Sequence, residues 1–255
     1  MPQKRKSARQ QMREIIDESE SNKEILINNP MKNKVKLIQF PWTEKQKDFF
    51  RIALDRDTKI VFVSGPAGTS KTLLSAYCGL QLLNMAAVSD IMYLRSAVES
   101  SEKSLGYLPG DADEKLRFYN LPFLDKLDEL MTKKEAERLE KDKRISMFPV
   151  NFARGMNWKD KCIILDEAQN STEKEITTVL TRLGKNSRCF LLADPMQTDL
   201  KREQIQNGFT NLLEIFSDKE SRKMGIHTFQ FTEEDIMRSE LVKFLITKIN
   251  KSNKL

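Results

Sequence analysis

The sequence predicts an α/β fold of three layers, in which helices cover both faces of a mainly parallel central sheet. From Trp42 onward, short apolar runs alternate with longer helical patterns, which is typical of parallel strands joined by crossover helices. The apolar runs are continuous, as expected for strands that are buried on both faces. A glycine-rich segment follows the first run and precedes a helical pattern, which predicts a strand, a tight loop and a helix in succession.

The individual elements follow from the spacing of apolar residues. Five strands are predicted, at Lys59–Val63, Ile91–Leu94, Lys161–Leu165, Cys189–Ala193 and His227–Phe231. Six helices are predicted, at Thr43–Leu54, Lys71–Leu83, Leu121–Leu139, Glu173–Leu183, Gly208–Phe216 and Ser239–Asn250. The segment around 96–156 is too long for a plain crossover, so it is predicted to be an insertion with one helix. We interpret Leu121, Leu124, Leu127 and Leu130 as the packing stripe of that helix.

Length and charge set the organisation of the chain. One main domain is predicted over residues 41–255, preceded by a charged N-terminal extension at 1–40 that is partly disordered or helical. The formal charge of +6 favours a polyanionic partner, and nucleic acid rather than a membrane surface. No apolar run is long enough to cross a membrane, and the basic N-terminus lacks the apolar region of a signal peptide. We therefore expect a soluble, cytoplasmic protein.

The few cysteine and histidine residues exclude several kinds of catalytic site. Cys78, Cys162 and Cys189 are far apart in the sequence and lie in predicted helices or strands, as expected for packing residues in a reducing compartment. The single histidine, His227, lies in a predicted strand and is interpreted as structural. The sequence therefore offers no Ser/His/Asp or Cys/His nucleophilic system and no histidine-rich metal centre.

The glycine-rich segment is predicted to bind phosphate groups. It runs Gly65-Pro66-Ala67-Gly68-Thr69-Ser70-Lys71-Thr72, between a predicted strand and a predicted helix. The backbone N–H groups of such a loop converge at the start of a helix, where the helix dipole also favours an anion. We expect Lys71 to contact the β- and γ-phosphates of a nucleotide, and the Thr72 hydroxyl to bind Mg²⁺.

A second motif supplies carboxylates. The apolar strand at 161–165 ends in Asp166 and Glu167, and a parallel sheet delivers such groups to the edge where the phosphates bind. We expect Asp166 to hold Mg²⁺ and Glu167 to orient or deprotonate the attacking water. Either motif alone could be a plain turn or a solvated strand end. In this order and spacing they predict a nucleoside triphosphate site.

Further segments accompany these two motifs, at Leu94–Glu99, Leu105–Asp111, Glu114-Lys115, Phe148–Gly155, Arg188–Gln197 and Glu234–Ser239. With them, from about Trp42 to Ile249, the sequence resembles the PhoH family, which is related to the first motor domain of superfamily 1 helicases. The resemblance implies a RecA-like P-loop NTPase fold and Mg²⁺-dependent ATP hydrolysis. It also implies coupling to RNA or single-stranded nucleic acid, with unwinding, and a ring-shaped homo-oligomer, a hexamer.

The resemblance also implies roles for single residues. Gln46 matches a glutamine that contacts the adenine base, and Gln197 matches one that senses the γ-phosphate. A ring would place an arginine of one subunit at the nucleotide of the next, which a single motor domain otherwise lacks. Arg238 is our first candidate because it follows a predicted strand and opens a helix; Arg154 and Arg95 are alternatives. For each of them a surface ion pair is the competing interpretation.

Two residues depart from the family pattern. Ser70 stands where the loop pattern has glycine, and Ala193 stands where the family has glycine before Asp194. Serine is tolerated at position 70 if its φ is negative. If φ is positive, serine costs roughly 1–2 kcal/mol of backbone strain, and nucleotide handling becomes weaker or slower. Ala193 bears on how closely Gln197 approaches the γ-phosphate.

Three functions fit the sequence. The first is an Mg²⁺-dependent ATPase that moves on or unwinds RNA. Basic and aromatic residues mix at Lys115–Tyr119 and Phe152–Arg154, as in surfaces that bind single strands, although such residues are also common in ordinary cores. The second is an ATP-driven switch that assembles or remodels a partner protein, such as a nuclease. The third is a nucleotide-gated binding protein that does not hydrolyse ATP, which the changes at Ser70 and Ala193 favour.

Overall fold

Six parallel strands form a single sheet in the computed structural model, which describes residues 33–95, 112–150, 157–197 and 208–252. The strands are Ile60–Ser64 (β1), Asp90–Arg95 (β2), Ile145–Pro149 (β3), Lys161–Asp166 (β4), Arg188–Ala193 (β5) and Ile226–Gln230 (β6). Their order across the sheet is β3-β2-β4-β5-β1-β6, and each neighbouring pair is parallel. The α/β prediction with a parallel sheet is therefore confirmed.

Eight α-helices connect the strands within the described residues. They are Glu44–Leu54 (α1), Lys71–Asn84 (α2), Ala112–Leu130 (α3), Lys133–Lys141 (α4), Glu173–Leu180 (α5), Phe209–Ile215 (α6), Lys219–Lys223 (α7) and Glu240–Ser252 (α8). Short 3₁₀ turns follow β4 at Ala168–Asn170 and β6 at Glu233–Asp235. All five predicted strands have a counterpart, and so do five of the six predicted helices, with boundaries that differ by at most three residues.

Two hydrophobic cores lie on opposite faces of the sheet, because successive strand residues point to opposite sides. In β1, Val61 and Val63 belong to the core beneath α1, α2, α3 and α4, whereas Phe62 belongs to the core beneath α5 and α6. Both cores are made of buried residues, and Leu74 in the first and Ile176 in the second are fully buried. Helices thus cover both faces, which gives the predicted three layers.

The predicted insertion contains more structure than one helix, so the single helix at Leu121–Leu139 is wrong. Thr132 interrupts the pattern: its side chain accepts a hydrogen bond from the Glu135 backbone N–H and caps a new helix, α4. After α4 the chain forms β3, which lies at the edge of the described sheet and pairs with β2. Sequence patterning missed β3 because this edge strand is short, mixes buried with half-buried residues and ends at Pro149.

The packed part of the described chain starts before the predicted domain boundary at residue 41. Val35 is buried, and its backbone N–H and C=O both bond to the side chain of Asn84 at the end of α2, at 2.8 and 3.0 Å. The Ile38 N–H donates to the Leu130 C=O at the end of α3. Residues 1–32 of the predicted extension lie outside the described residues.

Two further observations concern the described part of the chain. Cys78, Cys162 and Cys189 are all free and buried in the two cores, as predicted for packing residues, and burial raises the pKa of each thiol. Across the same residues, no helix is both long enough and apolar enough to pass through a bilayer.

Candidate nucleotide-binding site

The phosphate loop leaves β1 beneath the end of β6, and this close approach requires Gly65. Gly65 has φ +157°, and a Cβ atom placed on it would lie only 2.7 Å from the Phe231 Cβ. The Phe231 N–H donates to the Ser64 C=O at 2.8 Å, which fixes the two backbones side by side. No larger residue fits at position 65 without moving the chain that follows β6.

The C-terminal segment also packs on the second loop glycine. Gly68 has φ +84°, and an added Cβ would lie 3.0 Å from Cγ of Arg238. One residue earlier, the Met237 N–H donates to the Gly68 C=O at 2.9 Å. The loop is therefore held from the side of α8, and Arg238 lies against it within the same chain.

Ser70 adopts the left-handed conformation, with φ +62° and ψ +23°. Of the two signs of φ considered in the sequence analysis, Ser70 has the positive one, so its backbone is strained by roughly 1–2 kcal/mol. Ser70 is also the N-cap of α2, but its side chain makes no capping hydrogen bond. The first N–H groups of a helix have no partner within it, so the start of α2 is suited to bind an anion.

We predict that Ser70→Gly stabilises the nucleotide-free protein. Glycine adopts a positive φ without strain, so the free energy of unfolding is expected to rise by about 1 kcal/mol and the melting temperature by about 2–4 °C. Ala86→Gly is the matched control, because Ala86 also has a positive φ (+54°) but lies exposed just after α2. Both variants should melt higher, and only Ser70→Gly should change nucleotide affinity. Thermal melting without nucleotide tests this; a lower melting temperature for Ser70→Gly would contradict it.

The Lys71 ammonium lies within its own loop. It donates to the Gly65 C=O at 2.7 Å and to the Pro66 C=O at 3.0 Å. Burial lowers the pKa of Lys71, whereas the nearby carboxylates of Asp194, Asp166 and Glu167 act to raise it. A cation beside three carboxylates at the start of a helix is well placed to receive a magnesium-bound triphosphate.

Asp166 is oriented by three hydrogen bonds at the end of β4. One carboxylate oxygen accepts from the Thr72 hydroxyl at 2.9 Å and from the Tyr93 hydroxyl at 3.0 Å. The other oxygen accepts from the Glu167 backbone N–H at 3.0 Å. Tyr93 was not predicted as a site residue, because it lies inside β2 and reads as an ordinary core aromatic.

The paired oxygens of Thr72 and Asp166 fit Mg²⁺. This ion prefers oxygen ligands and is usually held by one or two protein groups together with phosphates and water. No cluster of three His, Cys, Asp or Glu side chains suited to a metal occurs among the described residues. If Mg²⁺ binds here, Thr72 and Asp166 are the side chains that would hold it, and this assignment stays a prediction.

Glu167 lies just beyond β4 with a positive φ of +54°. Its carboxylate accepts a hydrogen bond from the Gln169 side-chain amide at 2.5 Å, and the carbonyl of that amide accepts from the Asp194 N–H at 3.1 Å. Burial, with a contribution from Asp166, raises the pKa of Glu167; the Gln169 hydrogen bond, Arg95 and Lys71 act in the opposite direction. A raised pKa suits a general base, and strained backbone is common where catalytic groups are positioned.

Asp194 joins the end of β5 to the phosphate loop. One of its carboxylate oxygens accepts from the Ala67 N–H at 2.8 Å, and the other accepts from the Met196 N–H at 3.1 Å. Its side chain is buried. Sequence reasoning assigned no role to Asp194 or to Gln169, although both lie in segments that carry the family resemblance. The available signal was position, because Asp194 directly follows a predicted strand and Gln169 lies four residues beyond another.

These groups surround one cavity of about 310 Å³. The predicted residues that line it are Ala67, Gly68, Ser70, Lys71, Thr72, Asp166, Glu167, Gln197 and Arg238. Three other predicted loop residues do not line it: Gly65 lies under Phe231, Pro66 accepts from Lys71, and the buried Thr69 hydroxyl donates to the Pro66 C=O at 2.9 Å. The loop, the acidic strand end and both candidate residues from later segments thus meet in one place.

Three predicted residues lie elsewhere or beyond the described part. Gln46 is buried at the start of α1, where its side-chain carbonyl accepts from the Thr43 N–H at 3.0 Å in a capping box. It does not line the cavity, and its adenine contact stays a prediction. Arg95 ends β2 and lies close enough to lower the pKa of Glu167. Arg154 lies outside the described residues, as does most of the segment at 94–111.

The amino-acid sequence was also compared with those of known proteins and protein families. A sequence model of the family described as PhoH-like protein matches residues 39–250. The PhoH-like protein of Bacillus subtilis is 34% identical over 202 residues, which cover 79% of this chain and 61% of that protein. The PhoH-like protein of Mycobacterium tuberculosis H37Rv is 34% identical over 228 residues, covering 89% of this chain and 62% of that protein. The protein PhoH of Escherichia coli is 32% identical over 185 residues, or 72% and 51%.

The chain spans about six tenths of the length of the first two relatives and about half that of the third. The family match covers most of the chain, and the phosphate loop and acidic strand end meet as a nucleotide site requires. The chain therefore belongs to the PhoH family of P-loop proteins.

Proposed function

We propose that this chain is an Mg²⁺-dependent ATPase that binds RNA or single-stranded nucleic acid and works as a ring-shaped homo-oligomer, a hexamer. The observation that carries the proposal is the 2.9 Å contact between the Thr72 hydroxyl and the Asp166 carboxylate, beside Lys71 and Glu167 in one cavity. These are the groups that phosphoryl transfer to water needs: anion binding, a metal position and a base.

Each group has a defined part in hydrolysis. The N–H groups of the loop and the Lys71 ammonium hold the phosphates and neutralise their charge. When bound, Mg²⁺ supplies electrostatic stabilisation of the charge on the phosphate oxygens. Glu167, fixed by Gln169, accepts a proton from the attacking water. Arg238 stabilises the transferring phosphoryl group, a role that its packing against Gly68 supports.

The nucleic-acid part of the proposal rests on charge and on the family. The +6 charge of the chain favours a polyanion, and the family resemblance implies RNA or single strands. Of the two candidate binding segments, 152–154 lies outside the described residues. The other, 115–119, falls in α3, but its side chains lie outside the described part. The proposal therefore assigns no surface of the described residues to nucleic-acid binding. The experiment in the next paragraph tests this binding directly.

Phosphate release with and without single-stranded RNA tests the proposal. We expect Mg²⁺-dependent release of phosphate from ATP, stimulated by RNA, with the stimulation weakening as salt rises because phosphate-backbone contacts are electrostatic. Turnover per subunit should also increase with protein concentration until rings are complete. Single-stranded DNA at the same nucleotide concentration distinguishes RNA preference from general strand binding, and EDTA is the control for metal dependence.

The other outcomes separate the alternatives. A rate of phosphate release that neither RNA nor DNA changes would favour an ATP-driven switch that acts on a partner protein. Tight ATP binding without release would favour a nucleotide-gated binding protein, for which the strain at Ser70 is the supporting observation. No nucleotide binding at all would refute the proposed site.

A further inference from the structure

Helix α3 brings a pair of opposite charges to the nucleotide cavity. Lys126 and Glu129, one turn apart on α3, form an ion pair and both line the cavity that holds Lys71 and Asp166. Their side chains are 28% and 44% exposed. The sequence indicated only the packing stripe of this helix, so neither residue was predicted to belong to the site.

The position of α3 relative to Asp166 is fixed by core contacts. Phe123 is fully buried and stacks on Tyr93, with ring centroids 4.2 Å apart and an angle of 13° between the rings. The Tyr93 hydroxyl in turn donates to Asp166. Leu127 is also fully buried. Lys126 lies one turn after Phe123 and so shares a face of α3 with it, which brings Lys126 to the cavity that Asp166 also lines.

The charges of the side chains that line the cavity indicate a role for Lys126. Among the described side chains that line the cavity, four are carboxylates, Asp166, Glu167, Asp194 and Glu129, and three are cations, Lys71, Lys126 and Arg238. A nucleoside triphosphate adds further negative charge, so each cation near it matters. An exposed ion pair such as Lys126 with Glu129 contributes little, whereas hydrogen bonds from an ammonium to phosphate are charge-assisted and strong. The lysine can therefore exchange Glu129 for a phosphate at small cost.

We propose that Lys126 binds the terminal phosphate of a nucleoside triphosphate, with Glu129 as its partner when that phosphate is missing. The proposal deepens the proposed function and rests on it. The loop N–H groups and Lys71 hold the inner phosphates, while the Asp166 and Glu167 side of the cavity, where α3 lies, receives the terminal one. Lys126 thereby lets α3 distinguish a triphosphate from a diphosphate.

Equilibrium binding of a non-hydrolysable ATP analogue and of ADP, each with Mg²⁺, tests this inference. Lys126→Ala is expected to weaken binding of the analogue about tenfold or more, since it removes a charge-assisted hydrogen bond, and to change ADP binding less than twofold. Glu129→Gln is expected to tighten binding of the analogue, because the resting partner of Lys126 loses its charge. Lys134→Ala, which removes an exposed lysine of α4, is the control and should change neither affinity.

Two results would overturn the inference while leaving the proposed function in place. In the first, Lys126→Ala binds both nucleotides like the parent chain; in the second, it weakens both equally. If the parent chain binds neither nucleotide, the proposed function fails and the inference fails with it. Melting temperatures without nucleotide verify that the variants are folded, and Glu129→Gln provides an independent test should Lys126→Ala fold poorly.

Discussion

The Glu167→Gln variant is expected to bind MgATP and to hydrolyse it about 10²- to 10⁴-fold more slowly than the parent chain. Glutamine keeps the size of the side chain and can still accept the hydrogen bond from Gln169, so the cavity should keep its shape. It cannot take a proton from water, so the chemical step loses its base. Steady-state phosphate release, together with equilibrium binding of ATP, separates the two effects.

Glu137→Gln is the matched control for this variant. Glu137 is an exposed glutamate of α4, and its neutralisation should leave both turnover and affinity unchanged. If Glu167→Gln retains more than half of the parent turnover, Glu167 is not the base. If turnover and ATP binding fall together, the side chain holds the nucleotide instead of activating water.

Glu167→Gln is also expected to change the stability of the protein in a pH-dependent way. The pKa of Glu167 is raised in the folded protein, mainly by burial and then by Asp166. Such a carboxyl group destabilises the fold when it is ionised, and this effect disappears once the pH falls below its ordinary pKa. Glutamine stays neutral, so the metal-free variant should melt higher than the parent chain at pH 7.5. The difference should shrink as the pH is lowered. Melting curves recorded in EDTA across this range measure it.

The Arg238→Ala variant is expected to lose a factor of about 10³ to 10⁵ in kcat, the usual effect of removing an arginine that stabilises the transferring phosphoryl group. Arg238 lines the cavity and packs on Gly68, while the preceding residue, Met237, donates to the Gly68 C=O. Arg238→Lys should recover only part of the activity, because an ammonium lacks the planar fork of a guanidinium. Steady-state ATP hydrolysis with excess ATP measures both variants.

Arg222→Ala is the control, since Arg222 is an exposed arginine of α7. Turnover of Arg238→Ala within a few-fold of the parent value would exclude Arg238 from this role. Arg95 would then be the next candidate among the described residues, because it lies near enough to Glu167 to lower its pKa. A loss of ATP affinity without loss of kcat would indicate that Arg238 only holds the loop.

The central features of the site could be predicted because each is local in sequence. The phosphate loop is a run of eight residues between a strand and a helix, and Asp166 and Glu167 directly end an apolar strand. In a parallel sheet the carboxyl ends of strands share an edge, so the meeting of Thr72 with Asp166 followed from the motifs themselves. The same periodicity gave the fold class.

The rest depended on contacts between distant segments, which a single sequence does not show. Tyr93 reaches Asp166 only because β2 and β4 pair in a particular register. Asp194 meets Ala67 because β5 lies beside β1. Lys126 joins the cavity because Phe123 stacks on Tyr93. The sign of φ at Ser70, likewise, could only be read from the backbone.

The all-parallel sheet makes the nucleotide site a late product of folding. Thr72 at the start of α2 and Asp166 at the end of β4 are 94 residues apart in sequence, although their side-chain oxygens lie 2.9 Å apart. Parallel strands need long crossover connections, so no simple hairpin can bring these two segments together. Contacts between such distant segments form slowly. A nascent chain that stops before β4 would display the complete glycine-rich loop without its carboxylate partner. Because β5 lies between β1 and β4 in the sheet, the loop and Asp166 meet only in chains that extend beyond Ala193. A nucleotide that contacts both would therefore stabilise only chains of at least that length.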